Sequence, residues 1–110
     1  MKTIKTINGP IKPDELGFTD IHDHVWKMGG MEVREDKDFA IDSIEKSKQE
    51  LLRYAKAGGK ALVDMQPIGL GRGIEEMKEI AKDSGVHLIA ITGFHRGSLY
   101  DKAHFVHKYS

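Results

Sequence analysis

The 110 residues contain no cysteine, which excludes a disulfide framework, a thiolate metal site and a thiol nucleophile. Any metal must therefore be held by histidine or carboxylate. An excess of either charge is also missing, since 17 Lys and Arg balance 17 Asp and Glu and the pI is near 7.0. The basic field expected of a protein that binds nucleic acid or an anionic membrane is thus absent. No apolar run reaches the roughly 18 residues of a membrane span, and the opening MKTIKTINGPIKPDELGF lacks a signal-peptide core. A cytoplasmic location is expected, with neither nucleic acid nor membrane as a partner. Repeats, low-complexity tracts and Ser/Pro linkers are lacking as well, so residues 1–110 read as one continuous segment.

What is present suffices for a core. Hydrophobic residues make up 39% and charged residues 31% of the chain, with a mean hydropathy of -0.44, and nothing in that balance favours disorder. Asn8-Gly9, behind the β-prone run Thr3 to Ile7, predicts a turn, and Pro10 and Pro13 keep the following residues extended. An N-terminal hairpin or arm is expected. Phe18 to Val25 reads as a first strand, broken off by Gly29-Gly30. Asp38 is then expected to cap a helix running to about Ala57, with Ile41, Ile44, Leu51, Leu52 and Ala55 on or near one face, Lys48 interrupting the stripe and Gly58-Gly59 as the stop. Ala61 to Met65, ended by Pro67, reads as a short buried strand. Ile74, Met77, Ile80 and Ala81 mark a second helix ending at Gly85, and Val86 to Thr92 a third strand.

Strand, helix, strand, helix, strand, with near-continuous apolar second and third strands, is the pattern of parallel βαβ units and hence of an α/β fold. A closed (β/α)8 barrel takes roughly 250 residues. The chain either supplies the first βα units of such a barrel or forms a small open sheet complete in itself.

The strongest chemical signal is TDIHDH. On a strand, positions i and i+2 share a face about 6.5 Å apart, so His22 and His24 can converge on one metal, as they could not on a helix. In this reading Phe18, Asp20, His22 and His24 share one face and Thr19, Ile21, Asp23 and Val25 the other; two strand-end histidines with ordinary hydrogen bonds are the plainer alternative. Asp64 ends the second strand, where it can orient a ligand or a loop, or merely cap. The loop Gly69-Leu70-Gly71-Arg72-Gly73 leads into a helix amino terminus, where backbone amides and Arg72 can hold an anion; neither the dinucleotide fingerprint nor a Walker loop is completed. His95 and Arg96 follow the third strand, a place suited to an anionic substrate group. His104 and His107, at i and i+3, form a weaker pair near the end, and Trp26 and Met28 either pack or wall a pocket.

Three strings together, GPIKPDELGFTDIHDH, AKAGGKALVDMQPIGLGRG and SGVHLIAITGFHRGSLYDK, resemble the phosphotriesterase family of the amidohydrolase superfamily in order and spacing. Those are metal-dependent hydrolases built on a (β/α)8 TIM barrel. The resemblance implies a partial barrel, its first three βα units with parallel strands behind an N-terminal hairpin or arm. It also implies a binuclear site, usually zinc, in which His22 and His24 bind the more buried metal. The family's other ligands, a carboxylated lysine from strand four, histidines from strands five and six and an aspartate from strand eight, have no counterpart here. With strands expected to start near residues 18, 60 and 86, a fourth falls at about 120, past Ser110. His22-Asp23-His24 stands where the family commonly has His-Glu-His, and Asp23 is expected to point away from the metal. The strings GGMEVREDKDF and GFHRGSLYDK are most similar to members that open phosphorylated sugar lactones.

Two functions follow. One is a metal-dependent hydrolase of a lactone or phosphoester, not competent alone for want of the later ligands, with His22 and His24 on the metal and His95 and Arg96 toward the substrate. The other is a non-catalytic module that binds an anion or assembles with a partner. The face carrying Leu62, Asp64, Leu88 and Ala90, or their alternates, lacks the cover of further strands, so self-association through open sheet edges is expected.

Overall fold

The structure, a computed structural model, describes residues 2–29, 33, 34, 36–67, 71–94 and 100. Strands β1 (Ile4–Thr6) and β2 (Gly9–Ile11) form the expected antiparallel hairpin, with Thr6 opposite Gly9. The Thr6 hydroxyl donates to the Gly9 carbonyl at 2.6 Å. The turn then docks on the rest of the chain, as the Ile7 N–H donates to the Leu88 carbonyl at 2.8 Å.

Three parallel strands follow, β3 (Thr19–Asp23), β4 (Ala61–Asp64) and β5 (His87–Ala90), in that spatial order. Helix α1 (Ile44–Lys56) connects the first two and α2 (Ile74–Ser84) the second two. The α2 stop is as expected: Gly85 takes a left-handed conformation, φ 74°, and its N–H closes on the Ala81 carbonyl.

The α1 start differs from expectation. Its cap is Ser43, which accepts from the Lys46 N–H, whereas Asp38 belongs to a 3-10 turn, Lys37–Phe39, capped by Asp36. A long-range bridge decides this, because Lys27 and Ile41 exchange backbone hydrogen bonds at 3.0 Å each way and hold Ile41 extended. Leu52 is exposed, and Lys48 leaves the core stripe to bridge α1 and α2 through Asp83 and Glu79.

The core lies between the sheet and the helices. Leu51 of α1, Met77, Ile80 and Ala81 of α2, and Leu62, Val86, Leu88 and Val25 form one buried cluster. Leu62 and Leu88 thus face the helices, so the opposite face falls to their alternates, the half-buried Val63 and Ile89. Tyr54 ties the strand starts to α1: its hydroxyl accepts from the Asp20 N–H at 3.0 Å and donates to the Ala61 carbonyl at 2.7 Å.

Strand β3 carries a bulge that the sequence pattern does not show. Asp20 pairs with Leu62 but Asp23 with Asp64, so Ile21 and His22 together oppose Val63. The extra residue exchanges the faces beyond it. Asp20, expected beside His22 and His24, instead lies on the side of Leu62 and α1.

Candidate functional site

Beyond the bulge the two imidazoles come together. The His22 and His24 ring centroids are 5.9 Å apart, their planes inclined at 75°. Both rings line a cavity of about 260 Å³, with Met65 and Pro67 from beyond β4 and Ile91, Thr92 and Phe94 from beyond β5. The cavity therefore opens at the carboxyl ends of the strands, where α/β barrels build their sites. His24 Nδ1 is cut off from solvent and has no hydrogen-bond partner. A buried ring nitrogen left unpaired is costly, and a cation or a further acceptor is what it calls for. Two neutral imidazoles suit zinc in their chemistry. Among the described residues no group of three His, Cys, Asp or Glu is placed to hold a metal ion, so the pair is at most half of a tetrahedral set.

The backbone on either side of His24 is held from β4. The Met65 N–H donates to the Asp23 carbonyl at 2.8 Å, and the Val25 N–H donates to Asp64 Oδ2 at 3.1 Å. Asp64, 1% exposed, accepts from the Gln66 N–H with its other oxygen at 2.8 Å. Burial raises the Asp64 carboxyl above its ordinary 3.8, and the two N–H donors partly offset that shift. The third hold is Ser47 of α1, buried, whose hydroxyl donates to the Val25 carbonyl at 2.7 Å. Ser47 was not singled out by sequence, although a serine between Ile44 and Leu51 on the core stripe is a legible anomaly. Gln66, 1% exposed just past β4, was likewise missed.

The loop leading into α2 is a packing junction. The Arg72 guanidinium donates to the Ile91 carbonyl at 2.8 Å, which ties this loop to the end of β5. Gly71 has φ 83°, and its carbonyl accepts from the Met28 N–H at 2.9 Å; a Cβ there would meet the Met28 carbonyl oxygen at 2.4 Å. A Cβ at Gly73 would meet the Trp26 ring at 2.6 Å. Trp26 is a packing residue at that contact, and Met28 is 41% exposed. Glu75 and Glu76 occupy the first turn of α2, where their charge opposes a bound anion. His95, Arg96, His104 and His107, with Gly69 and Leu70, lie outside the described residues.

Comparison with known proteins extends this geometry. The phosphotriesterase family's sequence profile matches residues 2–109. A phospho-furanose lactonase of Mycoplasmopsis agalactiae is 38% identical over 103 residues, which cover 92% of this chain and 29% of that protein. A second phospho-furanose lactonase, from Mycoplasmopsis synoviae, is 39% identical over 104 residues, 92% of this chain and 30% of its own. Among solved structures, an amidohydrolase from Mycoplasma synoviae superposes with a TM-score of 0.85 at 38% identity, covering 94% of this chain and 30% of that one. A lactonase from Listeria monocytogenes gives 0.82 at 30% identity, with 89% and 30% covered. The chain spans about 30% of the length of these relatives, and its parallel sheet with connecting helices is a partial (β/α)8 barrel. With the profile matched along nearly its whole length, the chain belongs to the phosphotriesterase family.

Proposed function

We propose that these residues form the amino-terminal portion of a zinc-dependent lactonase acting on phosphorylated sugar lactones. The observation that carries this reading is the convergence of His22 and His24 at the strand ends, with His24 Nδ1 buried and unpartnered. The phospho-furanose lactonases among its relatives supply the substrate class. In this reading His22 and His24 hold the metal, Asp64 orients the loop behind them, and His95 and Arg96 take the anionic group of the substrate. When bound, the metal supplies a water of lowered pKa and polarises the scissile carbonyl. Met65, Pro67 and Ile91 give the cavity apolar walls that limit water around the reacting bond.

Two imidazoles leave at least two positions of a zinc ion to solvent, so the 110 residues alone bind metal weakly and do not turn over a lactone. No helix among the described residues is long and apolar enough to cross a membrane, and we place the activity in the cytoplasm on a small-molecule substrate. The exposed Phe18 and Ile21 beside the free edge of β3 favour association with a second copy. Zinc calorimetry on the purified chain tests the metal reading. Weak binding that disappears in His22→Ala/His24→Ala is expected. Tight one-to-one binding that survives the double substitution overturns it.

A further inference from the structure

The two histidines are not held alike. His22 sits in the bulge, exposed, its N–H donating to Asp20 Oδ1 at 3.0 Å. His24 has both flanking peptide planes pinned: the Asp23 carbonyl receives the Met65 N–H, and the Val25 N–H reaches Asp64. With those planes fixed, φ and ψ of His24 are fixed, and so is the direction of its Cα–Cβ bond. The next carbonyl along, that of Val25, is taken by the Ser47 hydroxyl at 2.7 Å. Asp64 and Ser47 come from different elements, the end of β4 and the first half of α1. Both are buried, at 1% and 7% exposure, where a hydrogen bond competes little with water.

We propose that Ser47 and Asp64 clamp the Val25 peptide unit from opposite sides and thereby aim the His24 imidazole, which makes Ser47 a positioning residue of the site. The geometry separates this role from general stability. A serine at a core-facing helix position loses nothing in packing when replaced by alanine beyond one hydroxyl, but here that hydroxyl is the link between α1 and the segment that carries the imidazole. Ser47 does not touch the cavity on which the rings converge, so it acts only through the backbone. The effect on metal affinity rests on the reading of His22 and His24 as ligands; the effect on ring order does not.

The test compares Ser47→Ala with Ser84→Ala, a matched buried serine whose hydroxyl meets Ala81 and Val86 at the far end of α2. In the metal-free chain, NMR couplings and nuclear Overhauser contacts report the His24 side-chain rotamer. One dominant rotamer is expected in the parent and in Ser84→Ala, and averaging in Ser47→Ala. Zinc calorimetry then reads affinity, with a loss of about ten-fold expected for Ser47→Ala, the scale on which outer-sphere partners act. Ser84→Ala is expected to bind as the parent does, and Ser47→Thr to recover both readouts. Should Ser47→Ala not fold, Ser47→Cys, with similar shape and a weaker donor, carries the same comparison. A folded variant whose His24 ring stays as ordered as in the parent overturns the clamp. A parent chain that binds no zinc at His24 refutes the metal reading instead, and the ring-order comparison still decides the clamp.

Discussion

Beneath the helices, Met77, Ile80 and Leu88 are at 0% exposure, whereas Ile21 keeps 74% and Phe18 70% beside the bulged strand. The helix-covered side of the sheet is thus held by packing. The carboxyl end that carries the histidines is held by directed hydrogen bonds from Asp64, Met65 and Ser47. A site facing a cavity cannot be fixed by filling the space in front of it, so it is fixed from behind by polar groups whose partners are specified one by one. The largest expected effect tests that division. Leu88→Ala should cost about 2–5 kcal/mol, the scale for a buried leucine, while Ile21→Thr should stay within about 0.5 kcal/mol. Urea unfolding of both variants checks this, and equal losses would erase the distinction between the two sides.

A second, smaller effect belongs to the polar clamp. The Asp64 carboxylate accepts two buried N–H groups, and an asparagine amide oxygen accepts only one while its NH2 faces the other donor. Asp64→Asn should therefore cost about 1–3 kcal/mol, the penalty for a buried donor left unpaired. The pH dependence has a definite sign. Because burial holds the folded Asp64 above 3.8, its titration contributes stability that is fully present below 3.8 and lost as pH rises through the raised value. The difference between parent and Asp64→Asn unfolding free energies across acid pH should change in that direction, and a flat difference would count against it.

These features were unequally legible in the sequence. The strands and helices follow from local periods and from glycine stops, and both are short-range signals: Gly85 closes α2 where the apolar stripe ends. The spacing of His22 and His24 likewise brings the rings together, since both lie beyond the bulge. The bulge itself is a property of the β3–β4 register and leaves no mark in either strand alone. Displacement of the α1 cap from Asp38 to Ser43 has the same origin, a pairing between Lys27 and Ile41 across the chain. Ser47 shows most clearly where reading stops. Its polarity on an apolar stripe is visible, but the identity of its acceptor depends on where β3 ends.

The exposed side sharpens the comparison in another way. If Phe18 and Ile21 drive association, Ile21→Lys should leave the unfolding free energy within about 0.5 kcal/mol of the parent yet shift the sedimentation distribution toward monomer, because a charge on an edge discourages pairing. A parent chain already monomeric at micromolar concentration would remove the proposed association.

The smallest expected effect lies on the seam between the two helices, where Lys48 Nζ approaches Asp83 Oδ2 at 2.5 Å and Glu79 Oε1 at 3.4 Å. The hydrogen bond from Lys48 holds Asp83 below its ordinary 3.8, and the bond to Asp83 holds Lys48 above 10.5. The sign here opposes that of Asp64. Asp83 contributes stability above 3.8 that is lost as pH falls through its lowered value, and Lys48 contributes stability below 10.5 that is lost as pH rises through its raised value. Asp83→Asn should therefore lower Tm slightly at pH 7, and the deficit should close at strongly acid pH and shrink in high salt, because the pair is solvent-facing and screened. A deficit that persists in acid and in salt would mean that Asp83 acts through packing, and the seam would then belong with the buried side of the molecule.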